Sequence, residues 1–122
     1  MGEVYVSGEG VAIGGEFKEA KFANFTAVTA TDTEVVAAVT GKKIRVLDYV
    51  LVVSGTSTAR FEDGAGGTAL SGLISPMGQT SATVVASGYC PLGHFETSAG
   101  NALSLETSST WTASGHVTYI EV

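Results

Sequence analysis

The run Ile44–Val53, IRVLDYVLVV, constrains the fold of this chain more than any other segment. It lacks glycine and proline and is rich in Val, Leu, Ile and Tyr, side chains that suit a pleated, packed strand. Successive side chains of a strand point to opposite faces. On strict alternation, Ile44, Val46, Val50 and Val52 share one face, and Leu47, Tyr49, Leu51 and Val53 share the other. A strand wet on one side alternates apolar with polar residues, and this one does not, so cover is expected on both faces. In a sandwich the opposing sheet supplies one cover. The other must come from an arm, a loop or a second subunit, which is the physical argument for oligomerisation.

The rest of the chain reads as shorter strands between turns. In Lys21–Thr31, Phe22 and Asn24 point one way, and Ala23 and Phe25 the other. Thr33–Thr40 is a second strand candidate; a short helix over Glu34–Val39 competes with it, and Val35, Val36 and Val39 tilt the reading to strand. Ser57–Glu62 places Ala59 and Phe61 inside and Thr58, Arg60 and Glu62 outside. Asp63–Gly67 is a hairpin or loop signal, Thr68–Leu73 a short strand, and Pro76-Met77-Gly78 a turn. Ser81–Ser87 sets Val84 and Val85 on opposite faces, Asn101–Thr107 turns Leu103 and Leu105 inward, and Trp111–Val122 is the last strand, irregular at Ser114-Gly115. About eight or nine short strands with frequent turn signals make an all-β sandwich or barrel. Residues 1–20 differ. Glu3–Val6 can pair briefly, but the Gly/Glu-rich stretch after it reads as a flexible N-terminal arm, leaving 21–122 as the body.

Composition excludes several classes of function. The chain has 122 residues, room for one domain, and a net charge of -6 with a pI near 4.7. A polyanion would repel it, so no nucleic-acid partner is expected. The one basic cluster, Lys42, Lys43 and Arg45, reads as a solvated strand start. No apolar run reaches the ~18 residues of a membrane helix, and no signal-peptide layout is present. A single cysteine, Cys90, permits no intrachain disulfide and reads as a packing residue near a turn. Gly8-Glu9-Gly10 is a poor phosphate loop, with glutamates beside it. His94, Glu96 and His116 are the most plausible metal set, but they follow no metal-binding spacing, so neither metal nor cofactor is expected. Serines and histidines occur without a G-x-S-x-G elbow, and Glu62-Asp63 at a loop entry is accounted for by solvation. The expectation is a protein without catalytic residues.

Four phrases on this scaffold, KKIRVLDYVLVVSG, EDGAGGTALSG, PLGHFETSAGNALSLE and GHVTYIEV, carry a resemblance. From Lys42 onward the chain resembles a group of small virion-associated proteins of tailed bacteriophages. The resemblance implies an antiparallel β-sandwich of jelly-roll type, about eight strands, serving as a structural module with no active site. Phe95 stands where that group often carries an indole, and the arm before Lys21 lies outside the shared region. The implied function is capsid decoration: a cement protein on the virion capsid surface that binds the major capsid protein and stabilises the shell. A homo-oligomer is expected, a trimer ahead of a dimer, with further contacts in Glu3–Phe17 and Gly88–Gly100. The alternative is a receptor-binding or fibre-tip module. Interface candidates are Val4, Tyr5, Val6, Phe17, Leu47, Tyr49, Leu51, His94, Phe95, Trp111 and Tyr119.

Overall fold

Gly14 and Gly15 decide the first element. Their φ values of 59° and 81° are those of a two-residue type I′ turn, whose twist matches that of the strands it joins. Around it β1 (Gly10–Ile13) and β2 (Glu16–Glu19) close as an antiparallel hairpin. The hairpin is a two-stranded sheet of its own, and β2 packs against the last strand of the body. Gly10–Glu19, within the segment read as an arm, is thus a formed hairpin leading into the body, while Glu3–Val6 lies outside the described residues. A computed structural model describes residues 10–27, 32–54, 57–74, 83–108 and 112–122.

The body is built from β3 (Lys21–Ala27), β4 (Asp32–Val36), β5 (Ile44–Val53), β6 (Ala59–Asp63), β7 (Thr83–Ala86), β8 (Phe95–Glu96), β9 (Leu103–Thr107) and β10 (Ala113–Glu121). Every pairing is antiparallel. One sheet runs β3-β10-β5-β7, with β8 also on β5, and the other runs β4-β9-β6. Among the described residues there is no helix, and none long and apolar enough to cross a membrane. The helical alternative over Glu34–Val39 gives way to β4. The strand expected over Thr68–Leu73 is reduced to two bridges on the free side of β6, Glu62 with Ala69 and Ala59 with Ile74.

The two sheets form a sandwich around one core. Phe25, Val117, Leu51 and Val53 from the first sheet meet Val35, Phe61, Leu103 and Leu105 from the second. Phe61 is the main bridge. It is fully buried and lies 6.1 Å from the Phe25 ring, 5.1 Å from Tyr49 and 5.3 Å from Phe95. These edge-on and tilted contacts suit the ring quadrupoles.

A β-bulge changes the reading of β5. Thr118 pairs with Asp48 and Tyr119 with Val46, so Leu47 is the extra residue. It shifts the alternation by one place. Ile44 and Val46 consequently share the core face with Tyr49, Leu51 and Val53, while Arg45, Asp48, Val50 and Val52 face away from it. The division of β5 into two apolar faces is thus corrected. Five of its side chains, Ile44, Val46, Leu47, Leu51 and Val53, are completely buried by this single chain. A second subunit is not required to cover them. The backbone around the bulge is satisfied from the far side: Cys90 N–H donates to the Leu47 carbonyl at 2.9 Å, His94 N–H to Val46 at 2.8 Å, and Tyr49 N–H to Ser87 Oγ at 2.8 Å.

Candidate functional site

The interface candidates divide by their placement. Val4, Tyr5, Val6 and Trp111 lie outside the described residues. Leu47 and Leu51 are fully buried and have no surface to offer a partner, a correction that follows from the bulge and the core. Tyr49, Phe95 and Tyr119 are half-buried and pack onto the inter-sheet core. Phe17 and His94 remain exposed, Phe17 by 54%. His94 holds its Nε2 2.9 Å from the Gly88 carbonyl and its ring edge-on to Tyr49. It lines an open pocket of about 290 Å³ with Arg45, Leu92, Gly93, Phe95 and Glu96.

The fold does not assemble His94, Glu96 and His116 as a ligand set. Glu96 is instead the partner of the basic cluster, accepting from Arg45 Nε at 2.8 Å and Lys43 Nζ at 3.2 Å. Burial alone would raise its pKa, but those two cations outweigh burial and hold it below the usual glutamate range. His116 is exposed on β10, between Asn24 and Val50.

The cluster that does form is one the sequence reading passed over. On the outer face of the second sheet, Asp32 of β4 stands opposite Glu106 of β9, which stands opposite Arg60 of β6. Glu62, two residues along β6 from Arg60, joins them. Carboxylate oxygens of Asp32, Glu62 and Glu106 all lie within 4.8 Å of one another. Arg60 Nε answers part of this charge, at 2.8 Å from Glu106 Oε1 and 3.1 Å from Glu62 Oε2. Alternation placed Glu62 outward, as it is, but solvation does not account for it: it is only 1% exposed. The reason is that β6 is not an edge. It has β9 on one side and the returning Ala69–Ile74 segment on the other. Burial, and then the Asp32 and Glu106 carboxyls, push the Glu62 pKa up to about 7. Only the pairing of β6 with a later loop could have exposed this environment, and single-strand alternation does not carry that information.

Asp63 does different work. It accepts from Ser98 N–H at 2.9 Å, Ser98 Oγ at 2.6 Å and Asn101 Nδ2 at 3.1 Å. Burial opposes its charge, but these donors prevail and lower its pKa. It ties the end of β6 to the 98–101 turn.

A different surface faces outward from the first sheet. Across β3, β10, β5 and β7 the register aligns Asn24, His116, Val50 and Ala86 in one row, and Thr26, Ser114, Val52 and Val84 in the next. Neither row carries an Asp, Glu, Lys or Arg. Val84 is 64% exposed, and Phe22, farther along β3, is 74% exposed. No family model matches the chain, and no curated protein matches it either.

Proposed function

We propose that the chain is a structural assembly protein, a decoration (cement) module on the capsid surface of a tailed-bacteriophage virion, without catalysis of its own. One observation carries the reading: two adjacent rows without charge, Asn24-His116-Val50-Ala86 and Thr26-Ser114-Val52-Val84, on the outer face of the β3-β10-β5-β7 sheet. A solvated antiparallel sheet face is ordinarily polar and charged. Here Val50, Val52, Val84 and Ala86 sit among Thr, Ser, Asn and His, on a chain of net charge -6. Such a patch suits a partner surface such as the major capsid protein or a second copy of this chain, the trimer or dimer of the oligomer reading. Modest contacts repeated over a shell add up through avidity.

The strand pairing supports the jelly-roll form. β3 pairs with β10, β4 with β9, β5 with β7 and β8, and β6 with the Ala69–Ile74 segment. That nesting is what a long hairpin wrapped into two sheets produces, and such sandwiches recur in capsid domains. Fold alone assigns no job, so the reading rests on the surface and its test. Electron cryo-microscopy of the particle is expected to show hundreds of copies, with Val50, Val52 and Val84 against a neighbour. Val84→Lys should abolish binding to undecorated shells while leaving the circular dichroism unchanged. Undiminished binding by Val84→Lys would refute the assignment of this face.

The pocket at His94, lined also by Leu92 at 82% exposure, favours the second reading, a receptor-binding or fibre-tip module. A handful of copies per particle and binding on a glycan array would support it over decoration.

A further inference from the structure

We propose that Asp32, Glu62 and Glu106 form a binding site for a divalent, oxygen-seeking cation of the size of calcium. The chemistry begins with the register. Asp32 and Glu106 are directly opposed on neighbouring strands, and like charges in that position repel. Glu62 adds a third carboxylate and is itself 99% removed from solvent, being 1% exposed. Among the described residues, Arg60 pairs with Glu62 Oε2 and Glu106 Oε1. Among the described residues no donor reaches Glu62 Oε1 or Asp32 Oδ1, and both atoms are buried. Unpaired buried carboxylate oxygens are costly, and acceptor facing acceptor requires something positive between them. One guanidinium does not serve all three groups.

The spacing of the oxygens admits calcium. Calcium–oxygen bonds of 2.3–2.6 Å allow two ligands of one ion to lie up to about 5 Å apart, whereas magnesium's shorter bonds limit them to about 4 Å. The three carboxylates offer oxygens within 4.8 Å of one another, inside calcium's reach, and magnesium gives up its waters more reluctantly. Asp32 and Glu106 are only half-buried, so water can complete the shell. The glycine loop after β6 comes close as well: a Cβ placed on Gly66 would lie 4.0 Å from Asp32 Oδ2. A bound ion would therefore join β4, β9 and β6 beneath that loop.

The test uses the full-length chain stripped with chelator, at pH 7.5 and moderate salt. Calcium chloride is titrated by calorimetry and by thermal unfolding, with magnesium chloride in parallel. Saturable one-site calcium binding in the micromolar to millimolar range is expected, with a midpoint raised by several degrees and a weaker magnesium response. Glu62→Gln keeps the side-chain shape and removes a buried charge, so the metal-free variant should melt no lower than the natural chain. Its calcium affinity should nevertheless fall at least tenfold. Asp32→Asn should weaken calcium likewise, and Glu96→Gln, at the distant Lys43–Arg45 pair, should not. Absence of saturable calcium binding by the natural chain would overturn the site in favour of a shared proton. Undiminished binding by both Glu62→Gln and Asp32→Asn would overturn it equally.

Discussion

Replacing Phe61 with alanine tests whether the two sheets are joined where the aromatic contacts place the join. Phe61 is fully buried, comes from the β4-β9-β6 sheet, and meets three rings carried by the other sheet, Phe25, Tyr49 and Phe95. Truncating a buried phenylalanine costs about 3–5 kcal/mol, from lost burial and the cavity left behind. Each well-oriented ring pair adds about 0.5–1.5 kcal/mol beyond area, which places Phe61→Ala toward the upper end of that range. Against a total stability of about 5–15 kcal/mol, the loss should lower the thermal midpoint by roughly 10–20 °C. Urea unfolding followed by circular dichroism gives the free energy directly. Phe61→Leu, Tyr49→Leu and the double variant then isolate one ring pair, with a coupling of about 0.5–1.5 kcal/mol expected. Phe22→Ala is the control. Phe22 is 74% exposed on the outer face of the β3-β10-β5-β7 sheet, and its loss should change stability by no more than about 0.5 kcal/mol. A Phe61→Ala chain within about 1 kcal/mol of the natural one would refute the inter-sheet contact.

Gly115→Ala should be severely destabilising, by more than about 3 kcal/mol: the added Cβ would collide with the Val50 carbonyl oxygen and lie 3.2 Å from Leu51 Cα, while β10 is held between β3 and β5. Gly72→Ala, which meets nothing within 4 Å, should be neutral in the same denaturation assay. Glu96 contributes on the acid side, because its folded pKa lies below the unfolded one; its stabilisation is present above about pH 4.5 and is lost as pH falls through the depressed value. Glu96→Gln should flatten that limb by about 1 kcal/mol or less, as suits a partly solvated pair, measured as the urea midpoint between pH 5 and pH 3.

Periodicity made much of the sandwich legible. Leu103 and Leu105 face inward, Ala23 and Phe25 oppose Phe22 and Asn24, and Val84 opposes Val85, all as alternation requires. Alternation failed at Leu47 because a bulge is a property of the pair: nothing in IRVLDYVLVV says that β10 will oppose it with one residue fewer. The same limit hid the carboxylate cluster. Asp32, Glu62 and Glu106 come from three strands far apart in sequence, and their charges look solvated until each strand has its neighbours. The hairpin over Gly10–Glu19 is written locally, in Gly14-Gly15 flanked by Ile13 and Glu16, although Gly8 and Gly10 beside it give the segment the composition of a flexible arm.

The extra residue in β5 also restricts the alignments available to the chain. A regular strand slipped by two places keeps every side chain on its proper side, so neighbouring alignments compete. With Leu47 inserted, a slip of β5 against its far-side neighbours detaches the Leu47 and Val46 carbonyls that Cys90 and His94 engage. Mispaired intermediates of the central strand are thereby disfavoured. Changes of length in this protein should be tolerated in its connections and rejected within Ile44–Val53.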